Sequence, residues 1–333
     1  MKKLILSALS IILVLALFCS CSLFNIKDVS VIATVNGEEI PSIEYDYFLL
    51  FAKQSILATV NGATDTKDFW ATTEIDGKKA EDLAKETALE DLITYTLIGQ
   101  KARELGLSID TPEAKEQIST AVSSDYTQML INQYGLDKEG VSRVLEKILL
   151  ESFLIEKLEK EGTIDVSEEN IKKVYDDNFR TIKHILISYT DPTTGETVLT
   201  EQEALELANK TIARINSGEN FDAVMNEVST DPGLETAPNG YTFTNNGTMV
   251  APFEETAFSM EIGEISEPVA TPYGYHILKR EPLISYDNFI AENDPASINR
   301  IIEGEYITNL TTELKGTATI ERNDSVYNKV SLY

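Results

Sequence analysis

The chain carries its only two histidines in two short patterned stretches, KHILI at 183–187 and YGYHIL at 273–278. Both stretches are rich in the β-branched and aromatic residues that favour strands. A segment of mixed helix and loop, about ninety residues long, separates them. Two strands at the ends of such a segment can be neighbours in one small sheet, which would bring His184 and His276 together. The alternative is that each histidine is satisfied by its own local partner.

The first residues, 1–20, have the pattern of a signal peptide. Two lysines precede an apolar run at 4–18, which is shorter than the roughly 20 residues that a membrane-spanning helix needs. The sequence LFCSC at 17–21 resembles a bacterial lipobox, so we expect Cys21 to carry lipid and 21–28 to form a tether. The alternative is an ordinary cleaved signal that leaves a secreted protein. After cleavage and lipidation no free thiol would remain for a disulfide, a nucleophile or a thiolate metal site.

The composition is strongly acidic. Lysine and arginine number 28 against 55 aspartates and glutamates, which gives a formal net charge of −27. Such a field repels nucleic acid and anionic lipid headgroups, so we expect no nucleic-acid partner. A solvated acidic surface without a specific partner is the preferred explanation of the charge itself.

The N-terminal half is predicted to be largely helical. Residues 29–35 read as a strand that ends in a tight turn at Asn36-Gly37. Residues 59–78 are polar, contain two glycines and read as a loop. Helical periodicities fall at about 42–51, 81–105, 111–134, 138–160 and 167–178.

The C-terminal end is predicted to return to the N-terminal end. Residues 317–321 read as a strand with no local partner, and we expect them to pair with 29–35. A helical domain would then be built from 29–178 and 283–333. Residues 179–282, in which strands and helices mix, would form an α+β module inserted between these two segments.

Several linked blocks lie in order inside the inserted module. They are TIKHILI at 181–187, NFDAV at 220–224, VSTD at 228–231, GTMVAPFEETAF at 247–258, GEISEPV at 263–269 and TPYGYHIL at 271–278. In this order and spacing they resemble the parvulin-type peptidyl-prolyl isomerases. The resemblance implies a small antiparallel sheet flanked by helices, and rotation about X-Pro peptide bonds without a cofactor or metal.

The same resemblance implies roles for particular residues. The two histidines fall on the family's two histidine positions, which hydrogen-bond in the floor of the site, with Thr271 near enough to join them. Their implied role is to shape the site and its electrostatics, not to act as nucleophiles. The remaining implied site residues are Asp231, where some parvulins have cysteine, and the substrate contacts Met249, Phe253, Tyr241 and Tyr273. Met249 and Phe253 could instead be ordinary core residues of a short helix.

The flanking sequence ATVNGEEI at 33–40 is similar to the start of PrsA-like and SurA-like extracytoplasmic foldases. This likeness implies a chaperone role for the helical domain, unfolded exported polypeptides as partners, a lipid anchor in the membrane and a possible homodimer. One alternative is a holdase whose module only binds. Another is a metal-binding or solute-binding lipoprotein that uses the histidine pair, although metal sites usually recruit a third ligand and no other histidine is available.

Overall fold

The computed structural model describes residues 30–60, 63–191, 194–294 and 296–332. The expected signal peptide, the tether and Cys21 lie outside these residues. The helices are α1 (Ser42–Thr59), α2 (Lys67–Thr72), α3 (Ala80–Glu104), α4 (Pro112–Val122), α5 (Asp125–Tyr134), α6 (Lys138–Lys160), α7 (Glu168–Asn178), α8 (Glu201–Asn216), α9 (Phe221–Val228), α10 (Ala251–Ser259), α11 (Tyr286–Glu292), α12 (Ala296–Thr317) and α13 (Asp324–Tyr327). The strands are β1 (Val31–Val35), β2 (Glu38–Pro41), β3 (Glu74–Ile75), β4 (Lys78–Lys79), β5 (Phe179–Ser188), β6 (Tyr241–Thr244), β7 (Val269–Thr271), β8 (Gly274–Glu281) and β9 (Ile320–Arg322).

The chain divides into two compact units. One contains the described residues up to Asp165 together with those from Arg300 onward, and the other is Val166–Asn299. Among the described residues, we find no helix whose length and apolar character would let it span a bilayer.

The first unit joins the two ends of the chain through a small antiparallel sheet. Its strand order is β2-β1-β9, and Val35 lies opposite Ile320 in the register. The β1–β2 hairpin turns at Asn36-Gly37, where both residues have positive φ, 51° and 84°. The predicted pairing of the terminal strand with the first strand is therefore confirmed, although the strand begins slightly later than expected.

Helices α1, α3 and α6 supply most of the core of this unit. Leu49, Leu92, Leu97 and Val144 project from them into one buried cluster. Each helix has an apolar stripe that only its neighbours can cover, so the three helices fold together. Trp70 is also buried in this cluster, with its indole N–H donating to Asp65 at 2.7 Å.

Two predicted elements of the first unit differ from the structure. The helix expected at 111–134 is two helices, because Ser124 accepts the Thr127 N–H and starts a new helix after the end of α4. The loop expected at 59–78 contains α2 and the hairpin β3–β4. That hairpin turns at Asp76-Gly77, another pair with positive φ, which was not recognised as a turn signal.

The second unit is a four-stranded antiparallel sheet in the order β6-β5-β8-β7. Ile185 and Ile187 face α8 and α9, while Ile182 and Leu278 face α10. Side chains alternate along a strand, so the two faces carry separate clusters. The predicted α+β class, with a small antiparallel sheet flanked by helices, is confirmed.

This compact unit extends beyond the module expected at 179–282. Tyr175 of α7 packs on Phe179 and Phe289, with ring centroids 5.0 and 4.9 Å away. Its hydroxyl donates to the Ile284 carbonyl at 3.0 Å. Helices α7 and α11 therefore close one end of the sheet together, and the boundaries at 179 and 282 remain a prediction.

Candidate active site

The pairing of β5 with β8 sets the position of both histidines. His184 lies opposite Leu278, and Leu186 lies opposite His276. Residues two apart on a strand share a face, so both imidazoles project from the same face as diagonal neighbours. Their ring centroids are 5.1 Å apart with planes at 50°, and both side chains are buried. The sequence-based expectation that the two histidines meet in one sheet is met by this register.

Helix α10 places an aromatic ring against both imidazoles. Phe253 has its ring centroid 5.2 Å from that of His184 and 5.3 Å from that of His276, edge-on in each case. Edge-to-face contacts of this kind are favourable because the ring edge is positive and the ring face negative. Phe253 is only 3 % exposed, so its ring forms a packed wall of the site.

The Thr271 hydroxyl links His276 to the turn before β8. Thr271 Oγ1 donates to the Gly274 carbonyl at 3.1 Å and accepts the Tyr273 N–H at 3.2 Å. It also lies 3.0 Å from His276 Nε2, and the tautomer of the imidazole decides which of these two atoms donates. When the hydroxyl hydrogen goes to the Gly274 carbonyl, the proton of this contact is on Nε2. Nδ1 of His276 is buried and has no hydrogen-bond partner among the described residues.

This arrangement differs from the hydrogen-bonded pair that the resemblance implied. Nδ1 of His184 is buried and, like that of His276, finds no hydrogen-bond partner among the described residues. The imidazoles touch through their rings, while the hydrogen bond of His276 goes to Thr271. The difference follows from the diagonal positions of the two histidines, which place the imidazole rings in contact without directing a nitrogen of one ring at a nitrogen of the other.

Burial keeps both imidazoles neutral near pH 7. Burial, together with the charge that His184 would carry, lowers the pKa of His276 to about 4, with a smaller opposing effect from Asp231. Burial also lowers the pKa of His184, with a smaller opposing effect from Asp231. Two adjacent neutral rings suit a site that shapes its surroundings and does not transfer protons.

Asp231 and Tyr241 complete the side of the site next to His184. The Tyr241 ring stacks on His184 with centroids 5.6 Å apart, and its hydroxyl donates to Asp231 Oδ2 at 2.8 Å. The same carboxylate oxygen lies 3.6 Å from His184 Nε2. Burial, helped by Asp231, raises the pKa of Tyr241 to about 12. Tyr241 thus connects the Asp231 carboxylate to the His184 ring through one polar and one stacking contact.

The other two predicted substrate contacts, Met249 and Tyr273, lie in different surroundings from each other. Met249 is half-buried and packs against the cluster that contains Phe253. Tyr273 is 61 % exposed, and its carbonyl accepts hydrogen bonds from Ser188 and Tyr189. The ring cluster therefore unites the histidines, Thr271, Asp231, Tyr241 and Phe253, whereas the Tyr273 side chain stands at the surface.

One residue of the site, Glu254, was not predicted from the sequence. Glu254 is buried, and its carboxylate accepts the Gly247 N–H at 3.1 and 3.2 Å, which holds the segment that carries Met249. The signal was present, because an acidic residue in the first turn of a helix is well placed to bind free backbone N–H groups.

Known families match both parts of the chain. A family model described as a PPIC-type PPIASE domain matches residues 168–281, and one described as a SurA-like N-terminal domain matches residues 1–144. These matches define the class of protein: a peptidyl-prolyl cis-trans isomerase of the parvulin type joined to a SurA-like N-terminal domain.

Similar curated proteins narrow the assignment. The foldase protein PrsA of Caldanaerobacter subterraneus subsp. tengcongensis is 33 % identical over 258 residues, covering 75 % of this chain and 73 % of that protein. The foldase protein PrsA of Clostridium botulinum is 27 % identical over 303 residues, covering 83 % of each chain. The chain belongs to the PrsA foldase family.

Two of the solved structures that resemble this chain are a PrsA and a parvuline. The peptidylprolyl isomerase PrsA from Bacillus cereus is 21 % identical and covers 77 % of this chain and 89 % of that chain, with a TM-score of 0.35. NmPin, the parvuline of Nitrosopumilus maritimus, is 35 % identical and covers 32 % of this chain and 97 % of that chain, with a TM-score of 0.24.

Proposed function

We propose that this foldase works outside the cytoplasm, attached to the membrane through lipid on Cys21. There its parvulin-type unit isomerises X-Pro bonds of exported polypeptides, and its helical unit binds the same chains while they are unfolded. The observation that best supports the assignment of the isomerase site is the contact of two buried, neutral imidazoles beneath Phe253.

Isomerisation of an X-Pro bond requires little from the protein except a site whose shape fits the rotating amide. Rotation about a peptide bond meets a barrier of about 18–20 kcal/mol, and uncatalysed X-Pro exchange takes on the order of tens to hundreds of seconds. No bond is made or broken. Every reduction of about 1.36 kcal/mol in the barrier speeds the rotation about tenfold.

The twisted amide of the transition state is less conjugated, and so less charge-separated, than either planar form. A dry aromatic wall such as Phe253 penalises the planar amide more than the twisted one. His184 and His276 add ring surface to that wall without adding charge, because burial lowers the pKa of both. The site therefore binds the transition state preferentially, which is the requirement for catalysis.

The role of His276 can be tested with the mature chain. His276→Ala removes the ring that contacts His184 and Phe253, so we expect the rate of isomerisation of an X-Pro tetrapeptide to fall, with the far-UV circular dichroism unchanged. Glu255→Ala, on the exposed face of α10, is the matched control and should keep the wild-type rate. An unaltered rate in His276→Ala would remove this histidine from the mechanism.

Chaperone activity is proposed for the first unit. Its support is the SurA-like match over residues 1–144 and a cavity of about 270 Å³ in that unit, lined in part by Leu89, Ile93 and Ile320. Suppression of the aggregation of an unfolded client should persist in a variant that lacks isomerase activity. A homodimer also remains a prediction, and light scattering on the purified chain tests it.

Anchoring rests on the N-terminal sequence alone. Two lysines, an apolar run at 4–18 and Cys21 after Ser20 form the expected lipidation signal. Wild-type chain should sediment with membranes and incorporate labelled palmitate, while Cys21→Ser should do neither. Wild-type protein that stays in the soluble fraction would contradict the anchor and leave the isomerase assignment untouched.

A further inference from the structure

A second cavity opens next to the ring cluster. Its volume is about 500 Å³. The segment after β5 contributes Tyr189 and Leu199, the start of α8 contributes Glu201, and the turn before β8 contributes Thr271 and Pro272. Its walls are thus mainly apolar, with the helix start at one side.

This cavity adjoins the candidate active site through Thr271 and Pro252. Thr271 lines it and also holds His276 Nε2 at 3.0 Å through its hydroxyl. Pro252 lines it as well, and the next residue is Phe253, whose ring contacts both imidazoles. Consecutive Cα atoms lie about 3.8 Å apart. A client proline held against Phe253 therefore has its neighbouring residue within reach of the cavity.

The charge in the cavity has one sign. Among the described residues that line it, Glu201 is the only acidic residue, and none is a lysine or arginine. This carboxylate acts on another residue of the cavity lining: burial raises the pKa of Tyr189, and the charges of Tyr275 and Glu201 raise it further. The segment 188–202 adds Asp191 and Glu196 and contains no lysine or arginine.

We propose that this cavity receives a lysine or arginine side chain that flanks the client proline, an inference that rests on the proposed isomerase function. The methylene stem would lie on Tyr189 and Leu199, and the cationic head would meet the Glu201 carboxylate. Long basic side chains favour such places because their stems bury well while their charged ends stay solvated. The preference is therefore for one class of X-Pro or Pro-X sequence in the client.

The test compares peptides that differ only in one residue next to proline. Lysine and norleucine have the same four-carbon side chain with and without a positive charge, and glutamate carries a negative charge. Two series, Ac-Ala-Xaa-Pro-Ala-NH₂ and Ac-Ala-Ala-Pro-Xaa-NH₂, carry lysine, norleucine or glutamate as Xaa, and exchange spectroscopy gives kcat/KM for the full chain. In at least one series we expect lysine to exceed norleucine by about two- to fivefold, the factor that a solvent-exposed ion pair supplies. This advantage should shrink in 1 M salt, where screening acts within about 3 Å.

Two matched variants distinguish the effect of Glu201 in the cavity from the effect of the net negative charge of the chain. Glu201→Gln should bring the lysine-to-norleucine ratio to about one. Glu206→Gln makes the same change in net charge on the same helix, at an exposed residue that does not line the cavity, and should keep the wild-type ratio. Glu201→Lys should reverse the order and favour glutamate.

The possible outcomes are distinct. Turnover with a ratio near one in both series would overturn the inference and leave the isomerase function standing. A ratio that Glu201→Gln and Glu206→Gln lower equally would also overturn it, because the general field would then explain the preference. Loss of turnover for every peptide would instead refute the proposed function and the inference with it.

Discussion

The histidine pair predicts how much stability the folded chain loses at acidic pH. His276 has its pKa lowered from 6.5 to about 4, with burial as the largest cause. At about 1.36 kcal/mol per pH unit, this corresponds to about 3 kcal/mol against protonation of the folded ring. Above pH 6.5 the ring is neutral in both the folded and the unfolded chain, so it contributes no pH dependence there.

Below pH 6.5 the unfolded chain binds the proton first. Stability rises with pH wherever the unfolded state binds more protons, so the free energy of unfolding must fall as the pH drops from 6.5 towards 4. The loss from His276 should total about 3 kcal/mol over this window. His184 has its pKa lowered as well, again by burial, and acts in the same direction.

The chain suits a direct measurement because it has only two histidines. Their Hε1–Cε1 signals can be followed by NMR from pH 8 to 4, with His276→Gln to assign them. We expect the His276 ring to stay neutral to about pH 5 in the folded chain, and the His184 ring to titrate below its ordinary value. The same signals in urea should titrate near 6.5, the ordinary value.

A folded-state midpoint at or above pH 6 for His276 would refute the reasoning. It would mean that water or a hydrogen-bond acceptor reaches Nδ1 and stabilises the cation. Denaturation curves supply an independent check, since the wild-type chain should lose more stability between pH 6.5 and 4.5 than His276→Gln. Equal losses would show that carboxylates, and not this imidazole, account for the acid sensitivity.

Three further predictions concern the surroundings of the ring cluster. Thr271→Val removes the hydroxyl that hydrogen-bonds to His276 Nε2 and should cost about 1–3 kcal/mol of stability and slow turnover, whereas Thr271→Ser should restore both; equal behaviour of the two variants would argue against a role for this hydrogen bond. Gly274→Ala should destabilise the chain by about 2 kcal/mol or more in a urea titration, because the residue has φ +145° and an added Cβ would lie 2.1 Å from the Ile187 carbonyl oxygen; a wild-type midpoint would contradict this. Phosphoserine-proline peptides should turn over no faster than their serine counterparts, because residues 188–202 contain no lysine or arginine to bind phosphate; a clear gain from phosphorylation would contradict it.

Local sequence patterns predicted several strands and turns of this protein. The β-branched and aromatic residues around His184 and His276 predicted the two strands, and the turn pair Asn36-Gly37 predicted the first hairpin. These signals are local, because they depend on side-chain periodicity and on which residues tolerate positive φ. They failed at Ser124, where a new helix starts inside a continuous helical pattern, and at Asp76-Gly77, where the flanking strands are too short to show a period.

The α+β class, the return of the C-terminal strand to β1 and the family blocks that contain both histidines could be predicted from the sequence. Which atoms contact one another depends on the folded chain. The His276 contact with Thr271, the Tyr241 bond to Asp231 and the cavity lined by Glu201 all follow from the register of β5 against β8 and from what packs over it. A shift of one residue in that register would turn one histidine to the opposite face of the sheet. Burial, which sets the charge of both imidazoles, likewise depends on distant segments that no local pattern encodes.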